Sequence, residues 1–182
     1  MTSVHLLHAG YAQDRVGSSI TLVRDGTALI VTDPGMVARR SLILDPLREL
    51  GVDPEAVTHV FLSHHHPDHT INIALFPRAE VVDFWARYID DQWLDHEGDG
   101  HRLSPHAELW VTPGHTGEDA TLVVEADDAV YAMTHLWWRE DRSPQIDPLA
   151  DDQPAIEAGR TRVLAAADIV IPGHGGAFRV RG

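Results

Sequence analysis

Residues 57–69 read VTHVFLSHHHPDH and join a buried-strand pattern to a dense run of histidines. The apolar and β-branched residues of 57–63 predict a buried strand, which ends abruptly in HHHPDH at residues 64–69. That run contains the pattern H-x-H-x-D-H. A strand end is rigid, and the loop that leaves it presents side chains at the edge of a sheet. This stretch therefore predicts a cluster of imidazole and carboxylate groups at one sheet edge.

Two further histidines follow strand patterns and lie beside small turn residues. His115 lies in TPGHT at residues 112–116, and His174 lies in PGHG at residues 172–175. Proline and glycine allow sharp turns that direct a short side chain to a common point. Because imidazole and carboxylate bind borderline divalent metals, these junctions together predict a metal site. The spacing within residues 64–69 lets ligands reach two positions, which favours two ions about 3.5–4 Å apart.

Length and composition define the class of protein. The 182 residues, with 43% hydrophobic and 23% charged side chains, predict one globular domain over residues 1–182. The absence of cysteine excludes disulfides, a thiol nucleophile and thiolate metal ligands. The 28 acidic residues against 14 basic ones give a net charge of −14, which repels phosphate backbones and anionic lipids. We therefore expect a small-molecule substrate, and neither nucleic acid nor membrane as a partner.

The segments that would direct the chain elsewhere in the cell are not visible in the sequence. The stretch MTSVHLLHAGYAQDR at residues 1–15 lacks a basic leader followed by a long apolar core. No apolar run approaches the length of a membrane span. We therefore expect a cytoplasmic protein, and the sequence leaves its oligomeric state open.

Strand patterns dominate both halves of the chain, and helical patterns separate them. Asp25-Gly26 lies between two β-branched runs and predicts a hairpin. Apolar spacing predicts helices over residues 39–50, where Pro46 favours a kink, and over residues 155–167. The tryptophan-rich segment that ends at Leu94 is also expected to be helical. This order favours an α+β fold, a sandwich of two sheets with helices on its outer faces.

These motifs resemble those of the metallo-β-lactamase superfamily, in which H-x-H-x-D-H precedes a distant His, a bridging Asp and a final His. The similarity continues through ALIVTDPG at residues 28–35, VTPGHTG at 111–117 and IVIPGHG at 169–175. It implies an αββα sandwich with two mainly antiparallel sheets and metals at one edge between them. Within the superfamily, the small size and the C-terminal PGHGGAFRV at 172–180 are similar to the metallo-β-lactamase domain-containing protein 1 group.

The resemblance implies two sets of three metal ligands. The first metal would be held by His64, His66 and His115. The second would be held by Asp68, His69 and His174. Asp33 matches a residue that braces the metal loops without binding metal, and Asp68 would also orient water or carry a proton to the leaving group. The implied cofactor is zinc, as one or two ions, and manganese or iron also suits such ligands.

One position departs from the family pattern. The bridging Asp is replaced in the stretch Ala132-Met133-Thr134-His135, where His135 stands at the aligned place. A carboxylate can bind two cations and cancel part of their charge, whereas a neutral imidazole has one free nitrogen. The second metal could then bind more weakly, the site could hold one metal, or His135 could be a terminal ligand. Two further alternatives are that His135 points away and that Asp141 supplies the missing carboxylate.

The expected chemistry is hydrolysis by a metal-activated water. A bound ion with an open coordination position lowers the pKa of water to about 7. The chain has no G-x-S-x-G motif and no glycine-rich phosphate loop. We therefore expect a metal-dependent hydrolase of a small ester, thioester or lactone, with Trp137 and Trp138 at the pocket. The alternatives are a nucleic-acid phosphodiesterase or RNA-processing nuclease of the same fold, and a catalytically weak metal-binding accessory protein.

Overall fold

The computed structural model describes residues 1–180, and residues 181 and 182 lie outside it. The first half of the chain contains, in order, β1 Thr2–His8, β2 Tyr11–Ala12, β3 Val16–Gly17, β4 Ile20–Asp25, β5 Ala28–Thr32, α1 Ser41–Glu49, β6 His59–Phe61, α2 Pro67–Thr70, β7 Glu80–Val82, β8 Arg87–Ile89 and β9 Gln92–Leu94. The second half contains β10 Arg102–Ser104, β11 Ala107–Val111, β12 Ala120–Glu125, β13 Val130–Thr134, α3 Gln153–Ala166, β14 Ile169–Pro172 and β15 Phe178–Arg179. Short 3-10 turns occur at Pro54–Ala56 and Ile73–Leu75.

The strands form two main sheets and one small hairpin. The first sheet has seven strands in the order β1-β4-β5-β6-β7-β8-β9, and the second has six in the order β10 to β15. Most neighbours are antiparallel, while β6 pairs parallel with β5 and β7, and β13 pairs parallel with β14. Strands β2 and β3 pair only with each other within the described residues. Two mainly antiparallel sheets are therefore confirmed.

Three buried apolar clusters divide the molecule into four layers. Val23 of the first sheet and Leu122 of the second belong to the cluster between the sheets. Leu22, the neighbour of Val23, instead packs in the cluster that contains Ile43 of α1, because successive strand residues face opposite sides. Ile156 of α3 belongs to the cluster on the outer face of the second sheet. The expected αββα sandwich is confirmed.

The local predictions from the N-terminal half hold with small shifts. The hairpin between β4 and β5 forms, but Asp25 pairs with Ala28, so its turn residues are Gly26 and Thr27. Gly26 has φ 61, a conformation that glycine adopts without steric cost. Helix α1 runs through Pro46, which lies inside it. Within the described residues, no helix combines the length and apolar character needed to cross a membrane.

The helix predicted to end at Leu94 is wrong, because this segment is a β-hairpin. Strands β8 and β9 are antiparallel, and Tyr88 lies opposite Trp93. Their rings meet edge to face with centroids 4.8 Å apart, and Asp90 takes φ 52 in the turn. Aromatic residues pack well on a pleated surface, and such cross-strand pairs contribute about 0.2–1 kcal/mol. The cross-strand contact of Tyr88 and Trp93 therefore stabilises the hairpin that this segment forms.

Candidate metal centre

Four strand ends bring histidines to one edge of the sandwich. His64 follows β6 of the first sheet, while His115, His135 and His174 follow β11, β13 and β14 of the second. Because β13 and β14 are parallel neighbours, their carboxyl ends lie side by side. The two sheets thus contribute ligand-type side chains from opposite walls to the same place.

His64, His66 and His115 direct ring nitrogens at one another. Nε2 of His64 lies 3.0 Å from Nδ1 of His66, and Nε2 of His115 lies 3.2 Å from that same atom. Two nitrogens bound to one zinc ion at about 2.0–2.1 Å in tetrahedral geometry are separated by roughly 3.3 Å. The observed separations therefore fit adjacent ligands of one ion.

Asp68, His69 and His174 form a second group, whose ligand atoms all lie within 4.8 Å of one another and could hold one metal ion. Oδ2 of Asp68 lies 3.6 Å from Nε2 of His69 and 3.7 Å from Nε2 of His174. Nε2 of His69 is buried and has no hydrogen-bond partner. An unpaired buried polar atom costs about 1–3 kcal/mol, which a bound cation offsets. These donors fit a divalent metal with nitrogen and oxygen ligands.

Asp33 lies behind the second group. Its Oδ1 accepts a hydrogen bond from the backbone N–H of Ser63 at 2.7 Å, and its Oδ2 contacts Nδ1 of His69 at 3.0 Å. This contact leaves Nε2 of His69 facing Asp68. Close packing also fixes the loop, because a Cβ on Gly35 would lie 1.6 Å from the carbonyl oxygen of Asp68.

His135 faces the cluster rather than away from it. Its ring is almost fully buried, and its centroid lies 4.2 Å from that of His115 and 4.5 Å from that of His64. Nε2 of His135 lies 3.0 Å from Nε2 of His174. The carboxylate of Asp141 instead contacts Ser143 at an exposed position, so it does not take the place of the bridging residue.

Burial sets the protonation of the cluster. Desolvation, reinforced by neighbouring imidazoles, lowers the pKa of His64 and of His135 well below the usual range of histidine. Burial also lowers the pKa of His174 to about 4. A neutral imidazole offers a lone pair without first losing a proton. At neutral pH these rings are therefore ready to bind a cation.

Comparison with known proteins decides the family. The model of the Metallo-beta-lactamase superfamily matches residues 14–180. The chain belongs to the metallo-β-lactamase superfamily. Metallo-beta-lactamase domain-containing protein 1 of Xenopus laevis is 34% identical in an alignment of 197 residues, and this alignment covers 98% of this chain and 82% of that protein. The Homo sapiens protein of the same name is 36% identical over 173 residues, which cover 90% of this chain and 64% of that protein.

Solved metallo-β-lactamase structures share the fold. A Thermotoga maritima protein assigned to the metallo-β-lactamases superposes with a TM-score of 0.76 at 17% identity, covering 98% of this chain and 99% of that one. An N-acyl homoserine lactone hydrolase, with N-hexanoyl-L-homoserine at its catalytic metal centre, superposes with a TM-score of 0.66 at 16% identity, covering 90% and 84%. These structures confirm the fold, and the family model and the sequence relatives confirm the resemblance in sequence.

A cleft of about 370 Å³ opens onto the histidine cluster of the candidate metal centre. Its walls combine ligand-type side chains with an apolar rim. The lining residues are Ala12, Gln13, Val16, His66, Asp68, His115, His135, Trp138, Leu149 and His174. None of them is Arg, and the chain has no Lys.

Of the two tryptophans expected at the pocket, Trp137 and Trp138, only one lies there. Trp138 lines the cleft. Trp137 does not, because it packs in the core beneath α3 with its ring 5.6 Å from that of Phe178. The chain bends after β13, and the two neighbouring rings point to different sides, so only Trp138 reaches the cleft.

Sequence reasoning missed several residues around the cleft. Ala12, Gln13 and Val16 reach it from the β2–β3 hairpin, and Leu149 reaches it from the segment before α3. Asp147 was missed as well, although its Oδ2 lies 2.8 Å from Nδ1 of His115. No local motif marks these residues, since only the tertiary fold brings them to the histidines.

Proposed function

We propose that this protein is a metal-dependent hydrolase of a small, uncharged ester, thioester or lactone. One observation carries the proposal: histidine and aspartate side chains from both sheets converge on a single cleft whose remaining wall is mainly apolar and lacks Arg. The superfamily membership supports hydrolysis as the reaction class. The metal dependence and the substrate class are the parts that experiment must test.

The proposed ligands follow the two groups of the cluster. His64, His66 and His115 would hold one divalent ion, and Asp68, His69 and His174 would hold a second. His135 would be a terminal ligand near His174, because its Nε2 lies 3.0 Å from that ring. Zinc fits this donor set, as do manganese and iron. When bound, the metal supplies Lewis acidity and lowers the pKa of a coordinated water to about 7.

The side chains of the chain itself would bind and orient the substrate. Asp68 lies in the cleft lining beside His69 and His174, where its carboxylate can orient water and carry a proton to the leaving group. Trp138 and Leu149 offer an apolar wall, and Gln13 offers one amide that can bind a neutral polar group. An apolar acyl chain next to an uncharged carbonyl matches these walls.

Electrostatics disfavour a phosphodiester substrate. The net charge of −14 repels a phosphate backbone, and the cleft lining provides no arginine to offset that repulsion. The structural neighbour that hydrolyses N-acyl homoserine lactones acts on a small substrate with an apolar acyl chain. These features support a carbonyl ester or lactone over nucleic acid.

A substrate panel tests the proposal. We expect zinc- or manganese-loaded protein to hydrolyse aryl esters, thioesters or acyl lactones, to lose activity with a chelator, and to regain it with metal. His64→Ala should be inactive, whereas His65→Gln should remain active because His65 points to Asp83, 2.7 Å away. Turnover of bis(p-nitrophenyl) phosphate or RNA alone would favour the nuclease alternative. A metal-loaded but inert protein would favour the accessory role.

A further inference from the structure

The carboxylate of Asp147 is buried between a proposed metal ligand and the wall of the cleft. Its Oδ2 lies 2.8 Å from Nδ1 of His115 and accepts a hydrogen bond of 2.8 Å from Nε1 of Trp138. Its Oδ1 accepts a hydrogen bond of 2.9 Å from the backbone N–H of Leu149. A buried carboxylate is stable only when its oxygens are satisfied, so these contacts define its place.

The segment that carries Asp147 is fixed to the rest of the fold. The backbone N–H of Asp147 donates to Oε1 of Gln153 at 3.0 Å, at the start of α3. Arg160 of α3 donates to the carbonyl oxygens of Pro144 and Gln145 at 3.1 and 2.7 Å. The carboxylate is therefore presented by a rigid support and can orient the groups it contacts.

We propose that Asp147 is a positioning residue that fixes His115 and Trp138 together through one carboxylate oxygen. The carboxylate accepts a hydrogen bond from Nδ1–H of His115, which keeps the proton on Nδ1 and the lone pair on Nε2. That nitrogen lies 3.2 Å from Nδ1 of His66 in the cluster. Metal-binding histidines commonly donate their other nitrogen to a carboxylate in this way, which sets tautomer and ring orientation. The inference rests on the proposed function, and Asp147 lies outside the H-x-H-x-D-H run and the loops that carry the other proposed ligands.

The same oxygen couples the metal ligand to the substrate wall. The ring of Trp138 lies 6.2 Å from that of His115 and 6.1 Å from that of His174, measured between centroids. Loss of the carboxylate removes the hydrogen bonds to both His115 and Trp138. Loss of the indole N–H removes only the hydrogen bond to Trp138. The two roles can therefore be separated by variants.

Metal affinity is the first test, measured by competition with a chromophoric chelator in the full chain. We expect Asp147→Ala to weaken zinc binding by about 10–100-fold. Asp147→Asn keeps an acceptor oxygen without the charge and should lose less. Trp138→Phe is the matched control, since it should keep wild-type zinc affinity while KM for an apolar ester rises. Folded Asp147→Ala protein, checked by circular dichroism, with wild-type zinc affinity would overturn the proposal.

The tautomer of His115 is the second test and requires no Asp147 variant. Long-range ¹H–¹⁵N spectra of metal-free wild-type protein, assigned with His115→Gln, should show the proton on Nδ1. A proton on Nε2 would overturn the proposal even if Asp147 variants fail to fold. Wild-type protein that binds no metal would contradict the proposed function, while the tautomer would still decide whether Asp147 positions His115.

Discussion

At the scale of single residues, His135 is the most informative position. The sequence resemblance places its imidazole where the family has a bridging carboxylate, and its Nε2 lies 3.0 Å from Nε2 of His174. We expect His135→Asp to raise affinity for the second ion by about tenfold or more, because a carboxylate bridges two cations and cancels part of their charge. Metal titration followed by elemental analysis measures this change. An unchanged second-ion affinity would contradict the role given to His135.

Asp25, which lies outside the candidate metal centre, gives a prediction for stability against pH. Burial raises the pKa of its carboxyl, but hydrogen bonds from neighbours such as His106 and Thr2 outweigh burial and lower the pKa to about 2. Because the folded pKa lies below the unfolded value, this stabilisation is present above about pH 4 and disappears as pH falls towards 2.

We expect Asp25→Asn to lower the free energy of unfolding by about 2 kcal/mol at pH 6. The difference from wild type should shrink as the pH approaches 2, since protonated Asp25 loses the same advantage. Urea denaturation at several pH values measures it. A difference between the two proteins that stays constant with pH would show that the ionised carboxylate is not the stabilising species.

The residues proposed as ligands could be singled out one by one from the sequence, whereas the residues that support them could not. His64, His115 and His174 each follow a strand pattern, and His115 and His174 also lie beside small turn residues. Asp147 contacts His115 across 32 positions of sequence, and no short pattern reports such a contact. The same reason explains why Gln13 escaped prediction, since the hairpin that carries it reaches the cleft only in the folded chain.

At the scale of elements, the close approach of two loops is the feature that fixes the second metal group. Gly35 lies against the backbone of Asp68, with no room for a Cβ. We expect Gly35→Ala to destabilise the fold by about 1–3 kcal/mol or more, because backbone cannot yield as a flexible side chain does. Thermal unfolding of metal-free protein measures the loss.

Gly176→Ala is the matched control for that substitution. A Cβ at Gly176 would have nothing within 4 Å, so we expect a change within about 0.5 kcal/mol. Equal effects of the two substitutions would show that the contact between Gly35 and Asp68 does not constrain the loop.

Element types were predicted well where the pattern had a single interpretation. The apolar run before His64 gave a strand, and the periodic residues of α1 and α3 gave helices. The segment up to Leu94 was misassigned because aromatic residues occur in helices and strands alike, and their pairing across β8 and β9 is visible only in the sheet. Short edge strands such as β10 and β15 have too few residues to show the alternation of apolar and polar side chains that marks a strand.

At the scale of the whole molecule, a bound metal should stabilise the fold. The cluster joins loops from both sheets, so an ion bound there binds the native chain and not the dispersed ligands of the unfolded one. At a free metal concentration of 100 times Kd, binding adds about 2.7 kcal/mol, or a Tm increase of roughly 5–10 °C for this size. Differential scanning calorimetry with and without chelator measures it. An identical Tm in both conditions would argue against a structural link between metal and fold.

The fold class and the edge that carries the site were predictable from the sequence, because both depend on repeated strand–loop junctions. The cleft that selects the substrate was not, since its apolar wall combines the β2–β3 hairpin with Trp138 and Leu149. The net charge of −14 only disfavoured polyanionic partners such as nucleic acids and anionic lipids. Substrate specificity is therefore a property of the assembled molecule.

Metal content is the most direct measurement of the central claim. Purified wild-type protein is loaded in turn with zinc, manganese or iron(II), dialysed, and analysed by elemental analysis beside His64→Ala, His115→Ala and the loop control His65→Gln. We expect at least one tightly bound ion per chain in wild type and in His65→Gln. His64→Ala and His115→Ala should retain one ion fewer per chain, because each loses a proposed ligand of the first ion. Wild-type protein that retains no metal under any of these loading conditions would contradict the account.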